Sequence, residues 1–454
     1  MLSGLADYGF VIQRLLLGSN RPRLYSNGWG NKELDRLESY WMNLLSRLEQ
    51  GLPPAELNGL LDLTFADDDF EAEKFRKKKP EGSSGNSIIS SGHISGTISG
   101  IGDSSSNSSS SSNSTNDNNS IMCGACRGRS RTQEQETKLS NIDLHMREGF
   151  AQSPLATYLM PGAERLQILY VCGNATTAPW HAKKQKSNRS SSPSRIVVIL
   201  PSTGEQGYTD RIAVARSLIS RDERTACLIV MAPYYAERKP TSGPPQRSFY
   251  ARTVGDYQTQ VAAISIEGAA LLKWANAEYP SAQLCVTGFS WGAGMACGSA
   301  LLVVNALPKG VSEKKLALVP YVGCSSPTPY VTGIYSMDID FPALEKDDGG
   351  GRARLMQIFT RSTWKALVDV MKKSKSSRHL IGSLVSVTMV HDKFVPFEAQ
   401  TELHKLMEEV SVENPQQQRL LTFGGGHAVA GFSTATRQVD AIDAALNMLV
   451  KDDV

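Results

Sequence analysis

Residues 283–296 read QLCVTGFSWGAGMA. An apolar run enters Gly288-Phe289-Ser290-Trp291-Gly292, and small residues leave it. A serine with a glycine two positions away on each side means little alone, because both residues are common in bends. It means more when a strand runs into it and a helix runs out. The sharp turn then lifts the serine hydroxyl clear of a sheet, and the glycines let neighbouring backbone pass close. The following stretch GAGMACGSALLVV (292–304) is rich in Gly, Ala and Ser, as a helix packed tightly on a sheet would be. Ser290 is therefore a candidate nucleophile, set against the plainer alternative of a turn filler.

The surroundings of this elbow repeat its pattern. Apolar, β-rich runs occur at 165–173, 195–201, 226–233, 283–290, 316–323, 384–392 and 419–426. The later ones are almost wholly apolar, as strands buried on both faces must be. Helical patterns fall between them at about 208–221, 255–279, 292–306, 397–410 and 433–450. Such alternation predicts an α/β fold with a mostly parallel central sheet and helices on both faces. Its ligands would bind where strands end at their carboxyl edge. Residues 325–380 interrupt the alternation with Pro, Gly, aromatics and a basic helix, and read as a cap segment over the site.

Upstream, LDRLESYWMNLLSRLEQGL (34–52) puts Leu37, Tyr40, Trp41, Leu44, Leu45 and Leu48 on one helix face. The expected organisation is an N-terminal helical extension (1–78), a Ser/Asn-rich insert too polar to order itself (79–135), and the α/β domain (136–454). Across the 454 residues the formal charge is only +3, and no segment alternates aromatics with clustered bases, which argues against nucleic acid. No run is apolar enough to span a membrane. The seven cysteines are scattered and odd in number, which is no disulfide framework and favours an intracellular, reducing setting. Cys123 and Cys126 form a lone CxxC without a second pair. In the first 23 residues Arg14, Arg21 and Arg23 outnumber the single acid Asp7. That composition leaves mitochondrial or other organellar targeting open beside an ordinary helix of a cytoplasmic protein.

A serine nucleophile needs a base. Of the seven histidines, His93 lies in the polar tract, His145 and His181 precede strands at the wrong edge, His379 is in the cap, and His404 is inside a helix. His391 ends a strand but directly precedes an acid. His427 follows the last strand after Gly424-Gly425-Gly426 and is the candidate base. Asp392, at the end of strand 384–392, is the candidate acid, with Asp338 and Asp340 as alternatives. The order Ser290, Asp392, His427 is the one this architecture imposes. An oxyanion hole would use the backbone N–H of Trp291 and that of Thr203 or Gly204 in the loop after strand 195–201. Nothing in the pattern asks for a metal or a cofactor.

Several pieces, taken in order, resemble the alpha/beta-hydrolase domain-containing protein 18 family. They are GWGNKELDRL (28–37), SPLATYLMP (153–161), LPSTGEQGY (200–208), APYYAERKP (232–240), GFSWGAGMA (288–296), TGIYS (332–336) and GGGHAVAGF (424–432). The resemblance covers most of the chain outside 79–135. It implies an alpha/beta-hydrolase fold, a triad on Ser290, Asp392 and His427, and N-terminal helices that belong to the domain. Trp291 departs from the smaller residue expected after the serine, and the Ser/Asn tract is no family feature. Tyr234, Tyr235 and Arg238 follow a strand end and would line or brace the site.

The expected activity is hydrolysis of carboxylic esters, lipid or other hydrophobic acyl esters ahead of small soluble ones, with peripheral membrane association open and the oligomeric state unassigned. Two kinds of rival share these residues. An acyltransferase or peptidase would use the same triad. A catalytically silent scaffold for protein interaction would keep the fold alone.

Overall fold

The computed structural model describes residues 7, 23–49, 59–63, 143–174, 192–240, 251–308, 310–361, 364–373 and 380–449. They belong to one compact unit, built from residues 1–73 and 137–454. The Ser/Asn-rich tract, Cys123, Cys126, His93, His181, His379 and nearly all of the basic N-terminus lie outside the described residues.

The centre is a single eight-stranded sheet. Its strands are β1 (Leu144–Gln152), β2 (Arg165–Gly173), β3 (Arg195–Leu200), β4 (Thr225–Val230), β5 (Gln283–Phe289), β6 (Leu316–Tyr321), β7 (Ser383–Met389) and β8 (Gln418–Phe423). The spatial order is β1-β2-β4-β3-β5-β6-β7-β8. Strand β2 runs antiparallel to both neighbours, and every pairing from β4 through to β8 is parallel. This is the alpha/beta-hydrolase fold. The inner strands β4, β6 and β7 are buried at every position. That explains why they read as largely apolar runs rather than alternating ones.

Side chains on the two faces of the sheet feed two separate cores. Ile196, Val198 and Leu200 of β3 enter one, and Val197 and Ile199 enter the other. Against the first face pack α1 (Asn31–Glu49), α3 (Val254–Glu278) and α4 (Trp291–Val304). Against the second pack α2 (Thr209–Arg221) and α12 (Val439–Met448). Between β6 and β7 the insertion carries α6 (Thr328–Thr332), α7 (Phe341–Asp348), α8 (Gly351–Arg361) and α9 (Lys365–Lys373). Helix α5 (Val311–Lys315) precedes β6, α10 (Phe397–Glu408) follows β7, and α11 (His427–Phe432) follows β8. Among the described residues no helix is long and apolar enough to cross a membrane.

Strand β1 is absent from the sequence reading. Its segment LHMREGFAQ is mostly half-buried and carries His, Arg and Glu, so it lacks the apolar run that marks the inner strands. As the edge partner of β2 it needs only one apolar face. His145 therefore sits within an edge strand, bonded to Asn174 at 2.7 Å, rather than ahead of a central one.

The N-terminal segment is stitched into the fold. Leu24 N–H donates to Asp338 O at 2.8 Å, and Asp340 N–H donates to Leu24 O at 2.9 Å. Tyr25 and Asn27 donate to Ala251 and Arg252, ahead of α3. Trp29 is fully buried; its indole N–H donates to Leu344 O and its backbone N–H to Asp347 Oδ2, each at 2.8 Å. Gly28 and Gly30 hold positive φ of 84° and 63° around it, a conformation that a side chain disfavours.

Helix α3 begins with a capping box: Thr253 accepts from Asp256 N–H, and Asp256 accepts from Thr253 N–H. Burial nevertheless pushes the Asp256 carboxyl up to about 6, against the lowering effect of the Thr253 bonds. The folded chain thus holds a proton here that the unfolded chain releases, between pH of about 4 and 6. Stability from this group is greatest below that window and is lost as pH rises through it, by roughly 2–3 kcal/mol. Asp256→Asn keeps an acceptor for Thr253 without the charge. Thermal unfolding is expected to show the variant gaining a few degrees on the wild type between pH 4 and pH 7. A constant difference across that range would show that Asp256 does not titrate as stated.

Candidate active site

The elbow sits where the middle of the sheet ends. Ser290 follows β5 and precedes α4 with φ +58° and ψ −116°, a strained conformation for a residue with a side chain. Its backbone N–H donates to Tyr321 O at the end of β6, at 2.9 Å. Sterics explain the flanking glycines. A Cβ on Gly288 would lie 2.4 Å from Gly292 backbone, and one on Gly292 would lie 2.6 Å from Pro201 O. The second contact brings the loop after β3, which carries Thr203 and Gly204, alongside the elbow. All residues of α4 are buried, so its small side chains permit close packing on both sides. A Cβ on Gly298, for example, would strike the Trp364 ring at 2.5 Å.

Asp392 and His427 meet across two loops. His427 Nδ1 and Asp392 Oδ2 are 2.7 Å apart. The other carboxylate oxygen of Asp392 accepts the N–H groups of Phe394 and Val395 at 2.7 and 2.8 Å. Nδ1 must therefore donate, which leaves Nε2 as the acceptor. The imidazole is held between Phe289 and Phe394, with ring centroids 4.9 Å away on each side. Phe289 is the residue before Ser290, so the His427 ring packs against the strand end that leads into the elbow. Asp340 instead caps α7 by accepting Ala343 N–H. His404 is bonded to Ser386 and Glu408 on α10, and His391 is exposed.

Trp291 is the first residue of α4, where a backbone N–H has no partner within its own helix. The loop opposite is anchored at its far end. Glu205 pairs with Arg211 Nε at 2.7 Å, and Arg211 also donates to the carbonyls of Val230 and Gly207. Burial raises the Glu205 carboxyl, with Arg211 opposing the shift. Thr203 Oγ1 lies 3.3 Å from Tyr330 Oη, and Gly204 takes φ +82°.

A cleft opens over Ser290 with about 370 Å³ of empty space, its mouth included. Helix α3 contributes Tyr257 and Val261, and α4 contributes Trp291 and Met295. The insertion contributes Pro327, Tyr330 and Trp364. Pro327, Tyr330 and Trp364 belong to the segment read as a cap, whereas no local pattern links Tyr257 or Val261 of α3 to Ser290. Cys324 also lines the cleft, but burial pushes its thiol up to about 12, with Asp392 adding to the effect. It carries almost no thiolate at neutral pH, which leaves Ser290 as the better nucleophile there.

One expectation needs correction. Tyr234, Tyr235 and Arg238 do not line the cleft; all three are buried elsewhere. Arg238 makes a two-pronged pair with Glu267 at 2.7 and 2.9 Å, and it also donates to Ala163 O and Met231 O. With every charge matched, this is a brace between α3 and the loop after β4. Tyr234 at φ +69° and Ala236 at φ +44° mark how tightly that loop is folded.

The model of the family described as alpha/beta hydrolase domain containing 18 matches residues 113–380. The chain belongs to that family. The matched span of this alpha/beta-hydrolase family takes in the elbow, the loop after β3 and most of the insertion. Among solved structures, the chain is similar to TT1662 from Thermus thermophilus (16% identity, 62% of this chain and 94% of that one, TM-score 0.38). It is similar to a cold-adapted esterase from an Arctic intertidal metagenomic library (15%, 67% and 97%, TM-score 0.38). Acetyl xylan esterase 1 from a Thermoanaerobacterium species is a third (11%, 69% and 92%, TM-score 0.42).

Proposed function

We propose that the protein is a serine hydrolase that cleaves carboxylic esters through Ser290, His427 and Asp392. The observation that carries this reading is the 2.7 Å contact of His427 with Asp392, on a ring stacked against the residue before a strained Ser290. Asp392 fixes the proton on Nδ1, so that Nε2 can take the Ser290 proton as Oγ attacks the ester carbonyl. The tetrahedral oxyanion is held by the backbone N–H of Trp291 and that of Thr203 or Gly204. Collapse expels the alcohol, which receives its proton from His427. Water, deprotonated by the same imidazole, then attacks the acyl-enzyme and frees Ser290.

The cleft supports a hydrophobic acyl group, lipid esters included, over a peptide. Tyr257, Val261, Met295, Pro327, Tyr330 and Trp364 offer apolar and aromatic surface, and among the described residues no charged side chain lines it. Trp291 belongs to that wall, its ring 6.1 Å from Tyr257. Its bulk therefore shapes the acyl site, while the N–H used for the oxyanion is backbone. A panel of p-nitrophenyl esters from acetate to palmitate tests this. Turnover is expected to favour longer acyl chains; turnover limited to acetate and butyrate would overturn the lipid preference. Transfer of the acyl group to an added alcohol in preference to water would make the protein an acyltransferase on the same residues.

A further inference from the structure

Asp7 reaches the candidate triad. Asp7 is fully buried, and its carboxylate accepts three backbone N–H groups. Oδ2 accepts from Lys393 at 3.1 Å and from His427 at 2.9 Å, and Oδ1 accepts from Ala428 at 2.9 Å. Lys393 directly follows the acid Asp392, and His427 is the base itself. One carboxylate from the start of the chain therefore joins the two loops that must hold acid and base in register.

Local structure explains why the loops need it. Helix α11 begins at His427, and its first N–H groups have no partners within the helix. The cap position is Gly426, which has no side chain to serve them. The acid loop has the same need, because Asp392 Oδ1 satisfies Phe394 and Val395 and leaves Lys393 N–H to another acceptor. Asp7 meets both needs with a single group, and its negative charge suits the positive end of α11.

We propose that Asp7 is a positioning residue for the triad. This rests on the reading of Ser290, Asp392 and His427 given above. Asp7 touches neither the substrate nor Ser290 in this account. It acts by keeping the His427 loop and the Asp392 loop at one separation. Loss of the carboxylate frees three N–H donors, admits water between the loops and lets the imidazole drift. A shift of about 1 Å in a reacting group costs on the order of 100-fold in rate.

The test compares full-length wild type with Asp7→Ala and Asp7→Asn. A fluorophosphonate probe reports on Ser290, and amide hydrogen exchange reports on the two loops. Asp7→Ala is expected to lower the limiting labelling rate by about 100-fold with probe affinity unchanged. Exchange should quicken at Lys393, His427 and Ala428 while β5 and α4 stay protected. Asp7→Asn keeps one carbonyl oxygen for two of the three donors and should fall between. Wild-type labelling and wild-type protection in Asp7→Ala would overturn the proposal. So would faster exchange spread over the whole chain, which marks a general stabilising role. If Asp7→Ala does not fold, Asp7→Asn decides: wild-type behaviour in both measurements overturns the proposal, and an intermediate loss confined to the two loops supports it. A wild-type chain that the probe does not label sinks the Ser290 reading instead, and the exchange arm then decides whether Asp7 clamps the loops.

Discussion

Ser290→Ala is expected to abolish labelling by a fluorophosphonate probe and to lower ester turnover by at least about a thousandfold. No other cleft residue can take over. Cys324 is held as a thiol by burial, and the hydroxyls of Ser325 and Ser326 do not sit on a strand-to-helix elbow. The fold should survive the change. The hydrogen bonds at position 290 run from its N–H to Tyr321 O and from Ala293 N–H to its carbonyl, and alanine keeps both. The variant should therefore unfold within a degree or two of wild type, so that lost activity is not lost protein. Labelling of both chains to the same degree would remove Ser290 as the nucleophile. Labelling of neither, with no turnover on any ester, would favour the silent scaffold.

The second large effect is expected from Asp392→Asn, at about ten-thousandfold in turnover. The substitution preserves shape and removes one acceptor. In the wild type Oδ1 takes two backbone N–H groups while Oδ2 faces His427 Nδ1. An asparagine that keeps its oxygen on Phe394 and Val395 must turn its NH₂ toward Nδ1. That forces the imidazole proton onto Nε2, the atom that has to accept from Ser290. Substrate affinity should change little, because Asp392 is buried beneath the histidine. The expected signature is a fall in kcat at constant KM. A loss below tenfold would mean that another group orients His427, and Asp392 would lose its role.

The sheet was legible because of what burial demands of a strand. Strands covered on both faces must be mostly apolar, and β3 to β7 are, their few polar side chains being small hydroxyls or lying at the strand starts. The edge strand β1 escapes the same logic, since it is only half-buried at Arg147 and Glu148. Order along the chain pointed to Ser290, Asp392 and His427, because each had to follow a strand at the carboxyl edge. Proximity in sequence left lining and bracing both open for Tyr234, Tyr235 and Arg238. They also follow a strand end, yet β4 places them where Arg238 meets Glu267 of α3. The partner that turns this arginine into a brace lies on another helix, and no spacing rule reveals it.

Sequence alone determined the elbow. Gly288 is required by its contact with Gly292 four residues on, a local pattern, and Gly292 in turn must clear Pro201 after β3. It also determined the parallel sheet, through runs of apolar side chains that only two-sided burial can use. Tertiary structure decided who attends the site. Asp7 reached His427 across the whole chain, α3 and the insertion supplied opposite walls of the cleft, and Phe394 closed the stack on the imidazole. A buried carboxylate must find donors wherever the fold strands them, and three N–H groups left over by two loops are an outcome of folding that no local motif encodes.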